Sequence, residues 1–532
     1  SKLVEGWAFS KMEPKWQRSR RSLVSAGFCL VLIGALADKW RLQIQQGQTL
    51  ECWAYPRGRP ELGSRQLRRF TRTIPQLQGA KSHCSAAGDG TEPATTGTAT
   101  ILGTAVSISK AMVGSGVLSL SAAVAAFTSA REGLLVALLL FTGMTVLSTY
   151  TFYMVAETSS ETGAREFGDT WAASVGEGSA WLPRLAVLVI SGVSCVFYAM
   201  ILGDSLAALL RGALEIGSKG GLLDGWRAAL LPCCHRTPMV LALTTFVLLP
   251  LCLAKSYANL TLTSVIGLLA CLYLACFSLC RYLDGTYGPR GLFYFLAPVR
   301  PVALIRARSF VDIFNLRTLV LLSTCGMTFM NHGMAPSTYQ ELAPGGPDAG
   351  RSSKMRRFIL VIVLAFGLTG AVCATIMAAG YATFGSATSG FLLANYATVD
   401  LAASLARICV MVSVCFGFPL NFVLLRSELA GALAGRSGAA KGGQHVRLTV
   451  VLLAIVASLA VVLQDLGKVQ AVSGSILGSF IVFVAPACMK RARRRRRGEQ
   501  AGGWRSALVE ALLIASGLFL GSVGLLVSLR GA

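Results

Sequence analysis

From Ala99 onward the chain is a succession of apolar runs, each long enough to cross a lipid bilayer. This limits the fold more than anything else in the sequence. About 20 helical residues span the hydrocarbon core. No water is present there to satisfy backbone N–H and C=O groups, so each run must pair its own peptide groups as a helix. Eleven runs are expected to cross, at roughly 99–127, 133–156, 183–210, 238–254, 257–281, 317–336, 357–384, 398–425, 446–464, 469–489 and 505–529. The expected class is therefore all-α, a polytopic integral membrane protein with 11 transmembrane helices in the lipid bilayer. Composition agrees. The 532 residues are 54% hydrophobic and 14% charged, too apolar for a soluble chain of this length.

A formal charge of +24 does not indicate a nucleic-acid partner, because the basic residues lie in the connections between runs. There they set orientation and meet anionic lipid. Arg351, Lys354, Arg356 and Arg357 follow run 6, and Lys490, Arg491 and Arg493 to Arg497 follow run 10. Both connections are on the inner side if the N-terminus is cytoplasmic. Two connections fit poorly. The one after run 2 is acidic, with Glu161, Glu166, Asp169 and Glu177, and the nominally outer one after run 5 carries Arg290, Arg300, Arg306 and Arg308.

Residues 1–98 form a separate basic region, expected to be disordered. The sequence there also fits a targeting segment or a gene-model extension: a basic run at Lys15 to Arg21 precedes apolar residues from Leu23 to Ala37. Most of the 15 cysteines lie within apolar runs, where they act as small hydrophobes. Cys233-Cys234-His235 has no second ligand pair at zinc spacing, so no metal is expected. No nucleophile elbow, HExxH or phosphate loop supports an enzyme.

Two runs are interrupted. In the first, TAVSISKAMVGSGVLSL, Gly114-Ser115-Gly116 breaks the apolar stretch one turn after Lys110. In the sixth, STCGMTFMNHGMAPSTYQEL, the breaks are Gly326, Gly333 and Pro336, with Asn331-His332 between them. Glycine is a poor helix former and proline removes an N–H. Open backbone inside a bilayer is tolerated where it lines a cavity, and a matched pair of broken helices points to a transporter's substrate site. Small residues also serve close helix packing, so the first break alone leaves both readings open. The second break, five runs later, favours the transporter. His332 by itself also fits a satisfied core histidine, and Tyr198 in run 3 also fits ordinary packing. Asp204, near the end of run 3, is either a proton or cation site or a carboxylate at the headgroups.

These residues resemble the amino acid/auxin permease family, within the amino acid–polyamine–cation superfamily, across all eleven runs. The motifs are GSGVLSL, ILGD, MNHGMAPSTYQEL, NYATVDLAASLAR, FPLNFVLLRSEL and DLGKVQAVSGSILGSFIVFVAPA, in that order. The resemblance is to the neutral amino acid, vacuolar or sodium-coupled branches. It implies a 5+5 inverted-repeat fold with helices 1 and 6 unwound: a transporter domain over 99–532, with repeats at about 99–281 and 317–489 and an extra helix at about 505–529. It further implies a secondary active transporter of small neutral amino acids. Gly114, Ser115 and Gly116 would meet the α-carboxylate, Met327 to Met330 the α-amine, and Asn331, His332 and Tyr198 the side chain.

Sodium-coupled relatives place an Asn on helix 1 and a Thr on helix 8 as cation ligands. Here Ser107 stands at the first position, and Cys415 or Gly417 at the second, near Ser413. Lys110 stands where those relatives carry a second Asn. A thiol is a poor ligand for a hard cation, and a lysine ammonium could replace the cation's charge. The coupling ion is therefore expected to be H+ rather than Na+, with no cofactor. Snorkelling to the interface is the other reading of Lys110. The alternative function is an amino acid sensor using the same pocket. The expected location is the plasma membrane or a vacuolar or lysosomal membrane.

Overall fold

The computed structural model describes residues 97–216, 234–253, 260–307, 315–346, 350–434, 442–497 and 503–530. The expectations for residues 1–96, and for Cys233 and Arg308, lie outside the described residues. The helices follow the apolar runs. They are α1 (Ile101–Met112), α2 (Leu120–Phe127), α3 (Gly133–Thr162), the short α4 (Phe167–Ser174), α5 (Trp181–Ile216), α6 (Arg236–Leu253) and α7 (Leu260–Leu283). Then come α8 (Thr318–Thr328), α9 (Ala335–Glu341), α10 (Arg351–Phe384), α11 (Leu401–Ala434), α12 (Gly442–Val462), α13 (Leu466–Arg496) and α14 (Trp504–Arg530). Among the described residues, nine helices are long and apolar enough to span a membrane. A tenth span forms if α1 and the stretch Gly116–Phe127, bent by 46°, count as one. The run expected as the sixth crossing is divided between α8 and α9, so neither piece qualifies alone.

Local chemistry sets several boundaries. Thr100 caps α1, its hydroxyl accepting the Gly103 N–H at 3.1 Å. Asp465 caps α13, its carboxylate accepting the N–H groups of Gly467 and Lys468 at 2.9 and 3.1 Å. A side-chain oxygen at this position satisfies N–H groups that a helix start leaves open. The ends of the two divided segments are joined: Ala99 donates to the Glu341 carbonyl at 2.9 Å, and Ala343 to the Ala99 carbonyl at 3.0 Å. The start of α1 and the end of α9 therefore share one end of the bundle, called proximal here. The starts of α11 and α13 lie at the distal end.

Small residues bring α8 and α13 together. A Cβ on Gly474 would collide with the Ser323 carbonyl oxygen. Beside it, the Ser475 hydroxyl donates to the Ser323 hydroxyl at 2.8 Å. Such close backbone approach is how membrane helices pack without a hydrophobic driving force between them.

At the proximal end, the acidic connection that fitted poorly with the charge pattern has a structural explanation. Glu161 forms ion pairs with three arginines: Arg493 at 2.6 Å, Arg497 at 2.9 Å and Arg351 at 3.1 Å. Lys490 pairs with Glu157 at 3.2 Å, and Arg494 with Glu510 at 2.8 Å. The arginine run and the acidic connection thus neutralise each other in part. At the distal end Asp400 is buried and pairs with Arg281 at 2.5 Å. It also accepts the Tyr287 hydroxyl at 3.0 Å and the Ala402 N–H at 3.0 Å. Burial, and then the Asp400 carboxylate, push the Tyr287 hydroxyl far above the ordinary phenol range, so it stays a donor. Arg407, fully buried, donates to the carbonyls of Leu393 at 3.0 Å and Tyr396 at 2.7 Å.

Candidate substrate cavity

The first break begins where α1 runs into Gly114-Ser115-Gly116. Val113 leaves helical geometry at φ −77°, ψ 52°, and Gly114 follows at φ −89°, ψ −137°. A 3-10 turn, Ser115–Ser119, then leads into α2. One carbonyl released from the helix finds a new donor: the Cys271 thiol of α7 donates to Val113 at 3.4 Å. The second break lies between α8 and α9. Phe329 (φ −94°, ψ 9°) and Asn331 (φ −124°, ψ 15°) leave the helix, and a 3-10 turn at His332–Met334 restores it. Pro336, at the start of α9, sits where its missing N–H costs nothing. The two breaks face each other. A Cβ on Gly116 would stand 3.1 Å from Thr328 Cα.

A cavity of about 870 Å³ lies between them. Gly114, Gly116, Met327, Thr328, Met330 and Asn331 contribute to its wall from the two breaks. Ser107 and Lys110 line it from α1, Tyr198 from α5, and Gly417 and Asn421 from α11. It opens at the proximal end, where Arg165, Glu166, Arg184 and Glu428 surround the mouth. Asn331 borders the cavity, and its amide nitrogen has no hydrogen-bond partner among the described residues. Ser115 opens the 3-10 turn between the two glycines.

His332 is placed elsewhere. Its ring is fully buried against α3, with Nε2 2.9 Å from the Thr151 hydroxyl and its centroid 5.6 Å from that of Phe152 in a T-shaped arrangement. It does not line the cavity. The 3-10 turn directs the adjacent residues Asn331 and His332 to different sides, so one meets the cavity and the other the helix behind it. The core-histidine reading is the one the geometry matches.

Lys110 extends between α7 and α11 in the protein interior. A Cβ on Gly267 would lie 2.9 Å from Ser413 Oγ and 3.0 Å from Lys110 Cε. A Cβ on Gly417 would lie 3.1 Å from Lys110 Nζ and 3.7 Å from the Tyr198 hydroxyl. Absent side chains at these two glycines therefore make room for the lysine. Among the described residues its ammonium has no ion-pair partner. Ser413 and Gly417 are one turn apart on one face of α11. Cys415, between them, falls on the opposite side, is only half-buried and lines neither large cavity. The expected grouping of Cys415 with Ser107, Lys110 and Ser413 is corrected on this point, since helical periodicity turns its thiol away.

A second cavity, of about 830 Å³, opens distally. Asp204 lines it and pairs with Arg236 at 3.4 Å. Asp204 is therefore an ion-paired vestibule group, not part of the cavity between the breaks. The two cavities share no lining residue. Ser119, Thr324 and Ala471 face the distal one, while Gly116 and Thr328 face the proximal one. The partition is thus one helical turn thick. Asn421 and Thr328 were given no role from sequence, although Asn421, an amide inside an apolar run, is the kind of residue that marks a pathway.

The fold and this cavity define a helical membrane protein with two facing, interrupted helices around a buried chamber. The sequence matches the family described as transmembrane amino acid transporter protein over residues 97–529. The chain belongs to that family. Among curated relatives, sodium-coupled neutral amino acid transporter 7 of Mus musculus is 23% identical over 436 residues, covering 80% of this chain and 86% of that one. Its Homo sapiens counterpart is 22% identical with the same coverage. Among solved structures, MhsT in complex with L-phenylalanine aligns with 81% of this chain and 98% of its own, at 11% identity and a TM-score of 0.44.

Proposed function

We propose that this protein is a secondary active carrier that moves small neutral amino acids by alternating access, coupled to protons rather than sodium. The observation that carries the reading is the pair of facing breaks, Val113–Ser119 and Phe329–Met334, lining one closed-ended cavity. Peptide N–H groups at Gly114 to Gly116 stand at the start of a half-helix, whose positive end favours a carboxylate. Carbonyls from Met327 to Met330, at the end of α8, favour an ammonium. Tyr198, Asn331 and Asn421 border the space left for the side chain. The relatives are named as neutral amino acid transporters, a substrate class that carries both a carboxylate and an ammonium.

In this reading α8 and α9 together form one crossing, which brings the spans to 11 and relates α1–α7 to α8–α13 as a 5+5 inverted repeat, with α14 outside it. The basic residues Arg351, Arg356, Arg357, Lys490 and Arg493 to Arg497 gather at the proximal end, which supports a cytoplasmic N-terminus. The cavity then opens to the cytoplasm, and the chain stands in an inward-facing state.

Coupling follows from Lys110. Its stem passes Gly267 of α7 and Ser413 of α11 and its ammonium lies against Gly417 of α11, beside the crossing that, by the resemblance, supplies a cation ligand in the sodium-coupled branch. A fixed ammonium there repels a sodium ion. The test is uptake of labelled neutral amino acids into proteoliposomes under imposed gradients. A proton gradient without sodium should drive accumulation, and a strict sodium requirement would reject the coupling. Absence of uptake or counterflow with any neutral amino acid would reject the carrier itself.

A further inference from the structure

Gln470 lies in α13, at the partition between the two cavities. It is fully buried. Neither its amide nitrogen nor its amide oxygen has a hydrogen-bond partner among the described residues. Burying an amide unpaired is unfavourable, because its water is lost and nothing replaces it. A leucine would fill this volume without that penalty.

The surroundings say where the amide is directed. Gln470 Nε2 stands 2.8 Å from the point a Cβ on Gly116 would occupy, and the Thr328 hydroxyl stands 3.0 Å from the same point. The carboxamide therefore occupies the space left by the missing Gly116 side chain, against the backbone of the first break. Gly116 and Thr328 both face the proximal cavity. The next residue along, Ala471, faces the distal one. Gln470 thus meets the floor of the substrate cavity from behind, with a donor and an acceptor both unused.

We propose that Gln470 is a positioning residue for the transported amino acid: when a substrate carboxylate orders the Gly114–Gly116 peptide groups, its carboxamide pairs with the Gly116 backbone and the Thr328 hydroxyl and so sets how firmly the substrate is held. This rests on the carrier reading above. Substrate binding is the step in which this amide gains its partners. Stability is given up in one state to gain affinity in the other, as at many functional sites.

The test compares wild type, Gln470→Leu, Gln470→Asn and Gly116→Ala in two measurements. One is thermal stability with and without each of the twenty amino acids; the other is concentration-dependent uptake into proteoliposomes. Gln470→Leu should melt at or above the wild-type temperature when empty, yet lose most of the substrate-induced rise. Its KM should increase at least tenfold with the maximal rate within about twofold, a loss of about 1.4 kcal/mol in binding. Gln470→Asn, shorter but still an amide, should fall between the two. Gly116→Ala should raise KM similarly, and adding Gln470→Leu to it should change little more, because both remove one interaction. A Gln470→Leu protein with wild-type KM and substrate-induced stabilisation would overturn the proposal and leave the carrier reading standing. A lowered maximal rate at unchanged KM would overturn it too, assigning Gln470 to movement of the partition. If no amino acid stabilises the wild type or is taken up by it, the carrier reading and this proposal fall together.

Discussion

The first break and the second meet across one cavity, but they are held open by opposite means. Around Val113–Ser119 the neighbours are missing side chains: Gly267 and Gly417 give Lys110 room, and Gly114 and Gly116 let Tyr198 and Gln470 approach the backbone. Around Phe329–Met334 the neighbours are large rings. Phe329 lies 5.3 Å from Phe141 and 6.1 Å from Phe366, and His332 is set between Thr151 and Phe152. Aromatic packing fixes position, because interlocked rings have few alternative arrangements. Glycine clearance leaves the backbone free to take another course. The second break is thus closely packed by rings, and the first is bordered by glycines that leave its backbone more conformational room.

Four substitutions probe that contrast, the largest expected effect first. Lys110→Met keeps the stem and removes the charge from the glycine-lined space. Interactions of charged groups at such sites contribute roughly 1.5–3 kcal/mol, so proton-driven uptake should fall by roughly tenfold to a hundredfold, while binding in detergent changes less. Uptake that stays at the wild-type level would mean that the Lys110 charge takes no part in coupling. Gly116→Ala comes next. Its Cβ would stand 3.1 Å from the Thr328 backbone, which cannot yield as a flexible side chain can. Overpacking of this sort costs about 1–3 kcal/mol, which should weaken substrate-induced thermal stabilisation by about tenfold in apparent affinity.

Tyr198→Phe removes one hydroxyl that stands 3.1 Å from the position of a Gly114 Cβ. A single neutral hydrogen bond contributes about 1 kcal/mol, so KM should rise roughly fivefold. No change would leave Tyr198 as packing. His332→Ala carries the smallest expected effect on transport and the clearest contrast with the others. The ring faces α3 rather than the cavity. Melting in detergent should show a loss of about 1–3 kcal/mol in stability, from the cavity and the lost Thr151 contact. KM should stay within about twofold. A large KM change would show that the second break is as adaptable as the first.

The apolar runs alone determined that this is a helical membrane protein, because the absence of water in the bilayer leaves a run of about 20 residues little else to be. The glycines of Gly114-Ser115-Gly116 and the Asn331-His332-Gly333-Pro336 stretch likewise marked both breaks, since backbone freedom and a missing N–H are properties of the residues themselves. Direction was not legible in the same way. Whether His332 or Asn331 meets the cavity, and whether Ser413 and Gly417 or Cys415 meets Lys110, depends on the rotation of a turn or helix against its neighbours. Only the packed bundle decided that. It also decided that Glu161 gathers Arg351, Arg493 and Arg497 from two distant connections, and that Gln470 stands behind Gly116. Such pairings join residues hundreds of positions apart, and a linear pattern carries no record of which helix faces lie together.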